Sequence, residues 1–419
     1  MPPRPSSLIG FLRGSALTLA VTLILPLTAR ADFFEKVHDA FSLNDPENRF
    51  HLQLSGLVDL EAYSIDQPAP GLIFSEHDFL FNPRLTLFLD VEVGSNIYLF
   101  AQTRVDRGFD PTDDGARVRL DEYFLRYSPA KNVRFQIGQF ATVVGNWVAR
   151  HDTWQNPFIN APLPYEHLTG IWDSAAPNET DTLLSWGHVG DHNNGDYSDK
   201  YLRLPIIWGP SYASGAAVSG SLGRFDYAAE MKNAALASRP ESWSIAQVGL
   251  ENPTFSGRAG FRPNEMWNVG LSASGGAYLL PTAAPTLPAG RGIGDYRELV
   301  LAQDISFAWH HLQLWAEFYE ARFEVPGIGN GDTFSYYCEA KYKMTSQLFA
   351  ALRWNQQIFA TVRDEDHRTK WGNDIWRLDA ALGYRFTDYL QAKIQYSFSR
   401  EDTLREGEHL FASQLTLKF

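Results

Sequence analysis

Charged residues recur at alternate positions within apolar stretches of this sequence, a spacing that lets them act together on a solute. The positions with this spacing are Arg84, Asp90, Arg104, Asp106, Arg134, Arg353, Arg377, Asp379 and Lys393. Successive side chains of a β-strand point to opposite faces, so these charges share one face with other polar residues. Opposite charges around a water-filled space create a field that discriminates between ions and between hydrated solutes. We expect roughly half of them to be purely structural, because a polar interior needs paired charges.

A second candidate site is the segment Gly145–Asp173, which combines aromatic with polar side chains. Its aromatic residues are Trp147, Trp154, Phe158, Tyr165 and Trp172, and its polar residues include Arg150, His151, Asp152, Asn156, Asn160, Glu166 and His167. Long connections in compact folds are usually functional or disordered, and the aromatic content of this one argues against disorder. We expect residues 141–164 to fold inward as a constriction. Arg150 and Asp152 would line it, and the aromatic residues would stack on a sugar or an aromatic solute; an outer lid or a subunit contact is the alternative.

The sequence offers little for covalent catalysis or for metal binding. Its one cysteine, Cys338, excludes an intrachain disulfide, and no C-x-x-C-H motif is present for haem attachment. His310 and His311 are adjacent, so they would point in opposite directions in a strand. His151 and His167 lack the spacing and accompanying ligands of a zinc site. We therefore expect no catalytic residue, no metal and no cofactor.

The elements that position these residues are predicted by period-two alternation, which begins near Arg49 and continues to the last residue. In residues 389–399, for example, one face carries Leu390, Ala392, Ile394, Tyr396 and Phe398, and the other carries Gln391, Lys393, Gln395, Ser397 and Ser399. A strand with one apolar and one polar face is typical of a membrane barrel, whose outside meets lipid and whose inside meets water. Apolar and polar residues of such strands offset each other in an average over the chain, in agreement with the mean hydropathy of −0.26. By the same alternation, Cys338 is expected on the lipid face.

Short and long connections between the predicted strands also alternate. The short ones lie near 94–96, 129–132, 222–224, 263–265, 309–311, 344–346 and 387–388, and the long ones near 64–77, 107–116, 141–164, 190–211, 235–253, 280–296, 324–332, 359–373 and 400–408. Outer-membrane barrels have short periplasmic turns and long extracellular loops. The pattern predicts an all-β, antiparallel transmembrane β-barrel of 16 strands over residues 49–419. The number rises to 18 if Tyr165–Trp172 and Thr182–His188 form a strand pair.

The last predicted strand ends in a regular apolar face. Phe411, Leu415, Leu417 and Phe419 alternate with polar residues up to the final phenylalanine. This pattern resembles the C-terminal signal that the outer-membrane assembly machinery recognises. A strand that closes a barrel has reason to be regular, because an open edge in lipid leaves backbone groups without partners.

The first residues have the features of a secretory signal peptide. A basic start is followed by an apolar stretch from Ser15 to Thr28 and by the small-residue motif Ala29-Arg30-Ala31. Removal of residues 1–31 changes the formal net charge from −13 to −16, because it takes away three arginines and no acidic residue. An acidic chain is a poor partner for nucleic acid. Residues 32–48 are predicted to form a periplasmic segment, either a short amphipathic helix or a disordered lead-in.

Several segments resemble the family of phosphate-selective porins O and P. They are Leu120–Tyr127 followed by Val133–Phe140, together with Tyr336–Arg353 and Arg377–Tyr396. The resemblance implies a trimer of 16-stranded barrels, with an anion path lined by arginines of the wall and lysines of the inward-folded third loop. The corresponding loop here, residues 141–164, contains Arg150 and no lysine. The resemblance therefore predicts a porin without predicting phosphate as its solute.

The leading functional hypothesis is passive diffusion of small hydrophilic solutes or ions through the outer membrane of a Gram-negative cell. Its expected partners are membrane lipid and lipopolysaccharide, the barrel assembly machinery, and two further copies of the chain in a homotrimer. One alternative is a sheath around a partner such as a multihaem cytochrome. A less favoured alternative is a barrel enzyme, for which the sequence places no serine and histidine together.

Overall fold

A computed structural model describes Lys36 and residues 40–47, 49–75, 77–107, 117–187, 197–364, 367–402 and 407–419. Residues 1–31, predicted as a signal peptide, lie outside this part, as does most of the predicted amphipathic helix. No helix in the ranges that are described is long and apolar enough to cross a membrane.

Sixteen long antiparallel strands form one sheet. They are β2 (Phe50–Ile65), β3 (Phe79–Val93), β4 (Ile97–Asp106), β5 (Arg117–Ala130), β6 (Val133–Gln139), β7 (Ser214–Leu222), β8 (Phe225–Lys232), β9 (Thr254–Phe261), β10 (Trp267–Ala277), β11 (Arg297–Trp309), β12 (Leu312–Val325), β13 (Gly329–Lys343), β14 (Leu348–Phe359), β17 (Ile375–Arg385), β18 (Leu390–Glu401) and β19 (Glu408–Lys418). Each of them pairs with the next one along this series. Three short strands complete the described set, namely β1 (Ser42–Asn44), which pairs with β2, and the hairpin β15 (Thr361–Asp364) with β16 (His367–Lys370).

The sheet closes on itself where β19 pairs with β2. Leu410 lies opposite Ile65, Leu415 opposite Leu60, and Lys418 opposite Leu57. The predicted 16-stranded antiparallel barrel is therefore confirmed. Closure gives each of the sixteen long strands two neighbours, so none of them is an open edge of the barrel.

The alternative of 18 strands is wrong. Instead of a strand pair, the region contains an α-helical turn at Leu163–Glu166 and an α-helix at Thr180–Gly187. Pro164 has no N–H to donate to a sheet, whereas the first turn of a helix does not need that donor. One connection thus runs from the end of β6 at Gln139 to the start of β7 at Ser214.

Shorter helical segments lie in the same connection and in the other long ones. They are the 3-10 helices Trp147–Arg150, Tyr197–Leu202, Pro240–Ser242, Pro281–Thr286 and Ile293–Asp295. The long loop predicted near 324–332 is a further error, since β12 and β13 continue to a tight turn with Val325 opposite Gly329. The alternation of Arg322, Glu324 and their neighbours continues up to that turn. Gly327 and Gly329 both have positive φ angles there, which glycine adopts without steric cost.

The two faces of the barrel differ as the alternation predicts. Leu352 and Ile394 are each 58% exposed on the outside, although large apolar side chains are normally buried in a water-soluble protein. Polar residues of the same strands, such as Arg353 and Gln395, are buried on the inside. Cys338 is exposed on the apolar face, as predicted. Exposed Tyr127, Trp309, Tyr342 and Tyr384 lie near the short turns, where aromatic girdles meet a membrane interface.

The closing seam includes a contact between Phe419 and Gly56. Each backbone N–H donates to the carbonyl oxygen of the other residue, at 2.9 and 3.0 Å. The Phe419 ring covers the glycine so closely that an added Cβ would lie 2.5 Å from Phe419 Cζ and 2.9 Å from the Thr86 carbonyl oxygen. Glycine at position 56 therefore lets the last aromatic ring lie flat against β2.

We expect Gly56→Val to destabilise the folded barrel by about 1–3 kcal/mol, because the branched side chain displaces the Phe419 ring. The temperature at which the barrel loses its compact mobility on a detergent gel measures the effect. Gly257→Val in β9 is the matched control. A Cβ added at Gly257 would lie 3.5 Å from its nearest neighbour, the Ala228 carbonyl oxygen. Equal transition temperatures for the two variants would contradict this account of the seam.

Candidate functional site

The interior of the barrel holds part of the long connection between β6 and β7. We call residues 141–166 the lumen loop. It lies against the inward face of β12, β13, β14, β17 and β18. Apolar packing contributes to this position, with Tyr165 against Tyr319 and Phe158 against Ala351. Three groups of polar contacts hold the loop there as well.

The first group centres on Glu317 of β12. Its Oε1 atom accepts hydrogen bonds from the backbone N–H groups of Asn146 and Trp147, the latter at 2.6 Å. Its Oε2 atom accepts from the hydroxyls of Tyr165 and Tyr319, both at 2.7 Å. Four donors around one carboxylate compensate the loss of its hydration inside the barrel.

The second group joins Arg150 of the loop to β13. Arg150 Nη1 donates to Glu339 Oε1 at 2.6 Å, and Nη2 donates to the Tyr337 hydroxyl at 3.2 Å. The guanidinium carbon also lies 4.3 Å from the centre of the Trp315 ring, within the range of a cation–π contact. Arg150 is thus used to hold the loop against the wall.

The third group contains Arg353, Arg377, Asp379 and Lys393 of the wall. Arg353 Nε donates to Asp379 Oδ2 at 2.8 Å and Nη2 donates to Asn160 Oδ1 at 2.6 Å. Arg377 pairs with Glu166 and donates to the Ala161 carbonyl oxygen. Lys393 Nζ donates to the carbonyl oxygens of three loop residues, Thr153, Asn156 and Phe158, at 2.8–3.1 Å.

These sequence-predicted charges therefore meet under the loop. Arg353 is 0% exposed, and its guanidinium carbon lies 4.2 Å from the centre of the buried Phe158 ring. Among the described residues, the lining of the main cavity includes none of Arg150, Arg353, Arg377, Asp379 and Lys393. Tyr165 is buried as well, whereas Trp154 is half-buried, with Arg385 5.1 Å from its ring centre. Arg134 is exposed at the start of β6, where its partner in register is Ser219.

Open space remains on the opposite side of the loop. A cavity of 440 Å³ lies between the lumen loop and the inward face of β2–β5. The loop contributes Trp147, His151, Asp152 and Thr153 to it. The wall contributes charged side chains, which are Asp59, Glu61, Arg84, Arg104, Asp106, Asp121 and Glu122.

The charges of this wall form two clusters. In the first, Arg84 pairs with Glu61 and lies 3.4 Å from Asp59 Oδ2. In the second, Arg104 and Arg119 share Asp106 and Asp121, with N–O distances between 2.9 and 3.4 Å. Of the predicted lining residues, Arg84, Arg104, Asp106 and Asp152 reach the cavity. Asp90 faces inward nearer the turn and accepts the Tyr98 hydroxyl.

Asp59, Glu61, Asp121 and Glu122 also line this cavity but were missed at the sequence level. Alternation through Leu57, Asp59 and Glu61 would have identified the first two. The second two are consecutive, so no alternation places both of them inside. A β-bulge in the pairing of β4 with β5, between Gln102 and Thr103, shifts the register and turns both carboxylates inward.

His151 connects the lumen loop to the far end of the same connection. Its Nδ1 atom contacts the Val148 carbonyl oxygen and its Nε2 atom contacts the Tyr212 hydroxyl, both at 2.6 Å. Burial lowers the pKa of His151 below the ordinary histidine value. A neutral ring suits both contacts, because Nδ1–H then donates and Nε2 accepts.

Comparison with known proteins supports the fold. No protein-family model and no curated protein sequence matches the chain. OmpF of Salmonella typhi, in complex with daunomycin, aligns with a TM-score of 0.56 at 12% identity, over 90% of this chain and 100% of its own. The anion-selective porin from Comamonas acidovorans aligns with a TM-score of 0.54 at 10% identity, over 88% and 100%. The trimer form of OmpT, an outer membrane protein of Vibrio cholerae, aligns with a TM-score of 0.53 at 9% identity, over 88% and 99%.

At such low identities the comparison establishes the fold. A closed 16-stranded barrel, apolar outside and polar inside, with a chain segment in its lumen, defines the class of outer-membrane barrels. This chain has the fold of a Gram-negative outer-membrane porin. The narrower resemblance to the phosphate-selective porins O and P stays a prediction.

The contacts of Arg353 lead to a stability prediction. We expect Arg353→Met to destabilise the barrel by about 3–5 kcal/mol, because it leaves Asp379 buried with one of its charged partners removed. Thermal unfolding in detergent measures the change. Arg322→Met is the control, since Arg322 pairs with Asp332 in the same way but is 45% exposed, so its loss costs about 0–1 kcal/mol. Similar losses in both variants would refute the tethering role of Arg353.

Proposed function

We propose that this protein is a passive diffusion pore for small hydrophilic solutes and ions across the outer membrane. The observation that carries the proposal is the 440 Å³ cavity inside a closed barrel, bounded by charged wall residues and by a tethered loop. Larger barrels of this size class enclose water rather than a packed interior. The lumen loop divides that interior, and the cavity is the part that solutes would traverse.

The charges around the cavity favour cations. Among the described lining residues there are seven carboxylates, including Glu166 of the lumen loop, and three guanidinium groups, including that of Arg107 just after β4. Rings of acidic side chains attract cations and lower their local energy in a narrow aqueous space. The cavity thus differs from the path lined by arginines and lysines that the resemblance to phosphate-selective porins implies, and we infer a weak preference for cations.

The porin fold also supports a homotrimer in outer-membrane lipid, and a trimer form exists for the structurally similar OmpT of Vibrio cholerae. We infer further that the chain has no enzymatic activity and needs no cofactor, since diffusion requires no reacting group. A sheath around a partner protein is less well supported. The lumen loop occupies the space that a cytochrome would need, and the 440 Å³ that remains is the size of a small-molecule site.

Ion selectivity provides one test. With a salt gradient across a planar bilayer, the reversal potential of the native protein should indicate preference for K⁺ over Cl⁻. The variant Asp59→Asn should reduce that preference by up to about fivefold, because it removes one unit charge and a unit charge at 4 Å in water contributes about 1 kcal/mol. Asp332→Asn is the control. Asp332 belongs to an exposed ion pair outside the lumen, so its substitution should leave the reversal potential unchanged. Anion preference in the native protein would contradict the proposed cation selectivity, but it would still agree with a diffusion pore.

Single-channel conductance tests the role of the lumen loop. Deletion of residues 147–164 should raise the conductance, because it joins the cavity to the space that the loop now fills. Thr153→Trp should lower it, since the Thr153 hydroxyl lies in the cavity, 3.0 Å from Asp59 Oδ2. Unchanged conductance in correctly folded variants would reject the loop as the constriction. Absence of ion current in the native protein would reject the diffusion pore itself.

A further inference from the structure

Four aromatic side chains lie on the inward face of β3, β4 and β5, and we call them the aromatic strip: Phe88, Tyr98, Phe100 and Phe124. Phe88 and Phe100 line the cavity. Tyr98 alternates with the exposed, lipid-facing Ile97 and Leu99, so it points into the barrel. The interior of an aqueous barrel is normally polar. Apolar rings at these positions therefore require a separate explanation.

The four rings form a continuous row of contacts, in which Phe88, Tyr98 and Phe100 are partly exposed and Phe124 is buried. Phe100 stacks with Phe88 at a centroid distance of 6.2 Å and with Tyr98 at 6.4 Å, with 25° and 20° between the ring planes. The ring centre of Phe124 lies 5.4 Å from that of Phe100, and Phe124 forms an edge-to-face pair with Phe140 at 6.4 Å. Such distances are typical of interacting aromatic pairs. The strip starts in the cavity and continues along the strands toward the short turn after β3.

Polar neighbours hold the rings in place. The guanidinium carbon of Arg126 lies 4.9 Å from the centre of the Phe124 ring and 5.4 Å from that of Tyr98. Arg126 is itself held by Gln136 Oε1, which accepts from Nε at 3.0 Å and from Nη2 at 2.9 Å. The Tyr98 hydroxyl donates to Asp90. A surface already fixed in this way loses little conformational entropy when a solute lies on it.

We propose that the aromatic strip is a binding track for neutral sugars on their way through the pore, an inference that rests on the proposed diffusion function. One face of a pyranose ring presents C–H groups that can lie on an aromatic ring, while its hydroxyls point outward. Gln102 and Glu122 line the cavity beside the strip and can exchange hydrogen bonds with those hydroxyls. A site that combines apolar faces with a few polar groups matches this ligand chemistry.

The charges around the strip favour a neutral ligand over a charged aromatic one. Arg126 already occupies the cation–π position over Phe124 and Tyr98, so an aromatic cation would be repelled there. The carboxylate excess of the cavity opposes an aromatic anion. A sugar carries no charge, and its hydroxyls form hydrogen bonds with carboxylates and guanidinium groups alike.

The order of residues along β4 gives the track a direction. From the long-loop end the inward residues are Asp106, Arg104, Gln102, Phe100 and Tyr98, at a rise of about 6.6 Å per inward residue. A sugar would first replace part of its hydration water by hydrogen bonds to the charged clusters, and it would then bind to the aromatic rings. Contacts that overlap in this way keep each local binding step weak enough for release.

Current recordings with maltose as the probe test the track. Added maltose should block the ion current of the native protein in a saturable manner. Phe100→Ala should raise the half-blocking concentration roughly tenfold, because one aromatic contact is removed, and Phe100→Tyr should retain the native value. Phe135→Ala is the control, because Phe135 is 50% exposed on the outside of β6 and should leave the block unchanged.

The outcomes separate this inference from the proposed function. Normal ion conductance without a maltose block would overturn the proposed sugar binding, while it would agree with the proposed diffusion pore. A block that Phe100→Ala and Phe88→Ala leave unchanged would place sugar binding elsewhere and overturn the track as well. A block by benzylammonium that Phe100→Ala weakens more than it weakens the block by maltose would overturn the assignment to neutral sugars. Absence of any current from the native protein would overturn both proposals together.

Discussion

The rest of this structure depends on one constraint: lipid cannot supply the hydrogen bonds that water would give to the backbone. In lipid, each N–H and C=O group needs a partner within the protein. The pairing of β19 with β2 supplies the last set of these partners and closes the sheet. Closure also creates the interior, so the lumen loop, the cavity and the two charged clusters all follow from it.

The interior charges serve two different purposes. Arg353, Arg377 and Lys393 lose their hydration under the lumen loop and donate hydrogen bonds to it, whereas Arg150 of the loop donates to Glu339 of the wall. Arg84 and Arg104 stay beside the cavity, where they pair with the carboxylates of their clusters. A buried charge without partners is costly. The first group therefore holds the loop in one place, and that position determines which part of the interior stays open.

Much of the barrel could be predicted because alternation is a local property. The faces of β13 and β18 follow directly from the order of their residues, and so does the apolar side of the closing strand at Phe411, Leu415, Leu417 and Phe419. Predictions that needed contacts between distant segments were less complete. Arg353 and Arg84 have the same alternation, yet one lies beneath the loop and the other beside the cavity.

The amino-acid sequence by itself determined the class of fold, the outward and inward faces of most strands and the presence of a long aromatic connection after β6. The physical reason is that a strand exposes successive side chains to opposite environments, whatever its neighbours are. Only the tertiary structure decided the side of the barrel on which the lumen loop rests, the bulge that brings Asp121 and Glu122 inside, and the assembly of the aromatic strip. These features depend on register and on contacts between residues far apart in the chain, which no local pattern records.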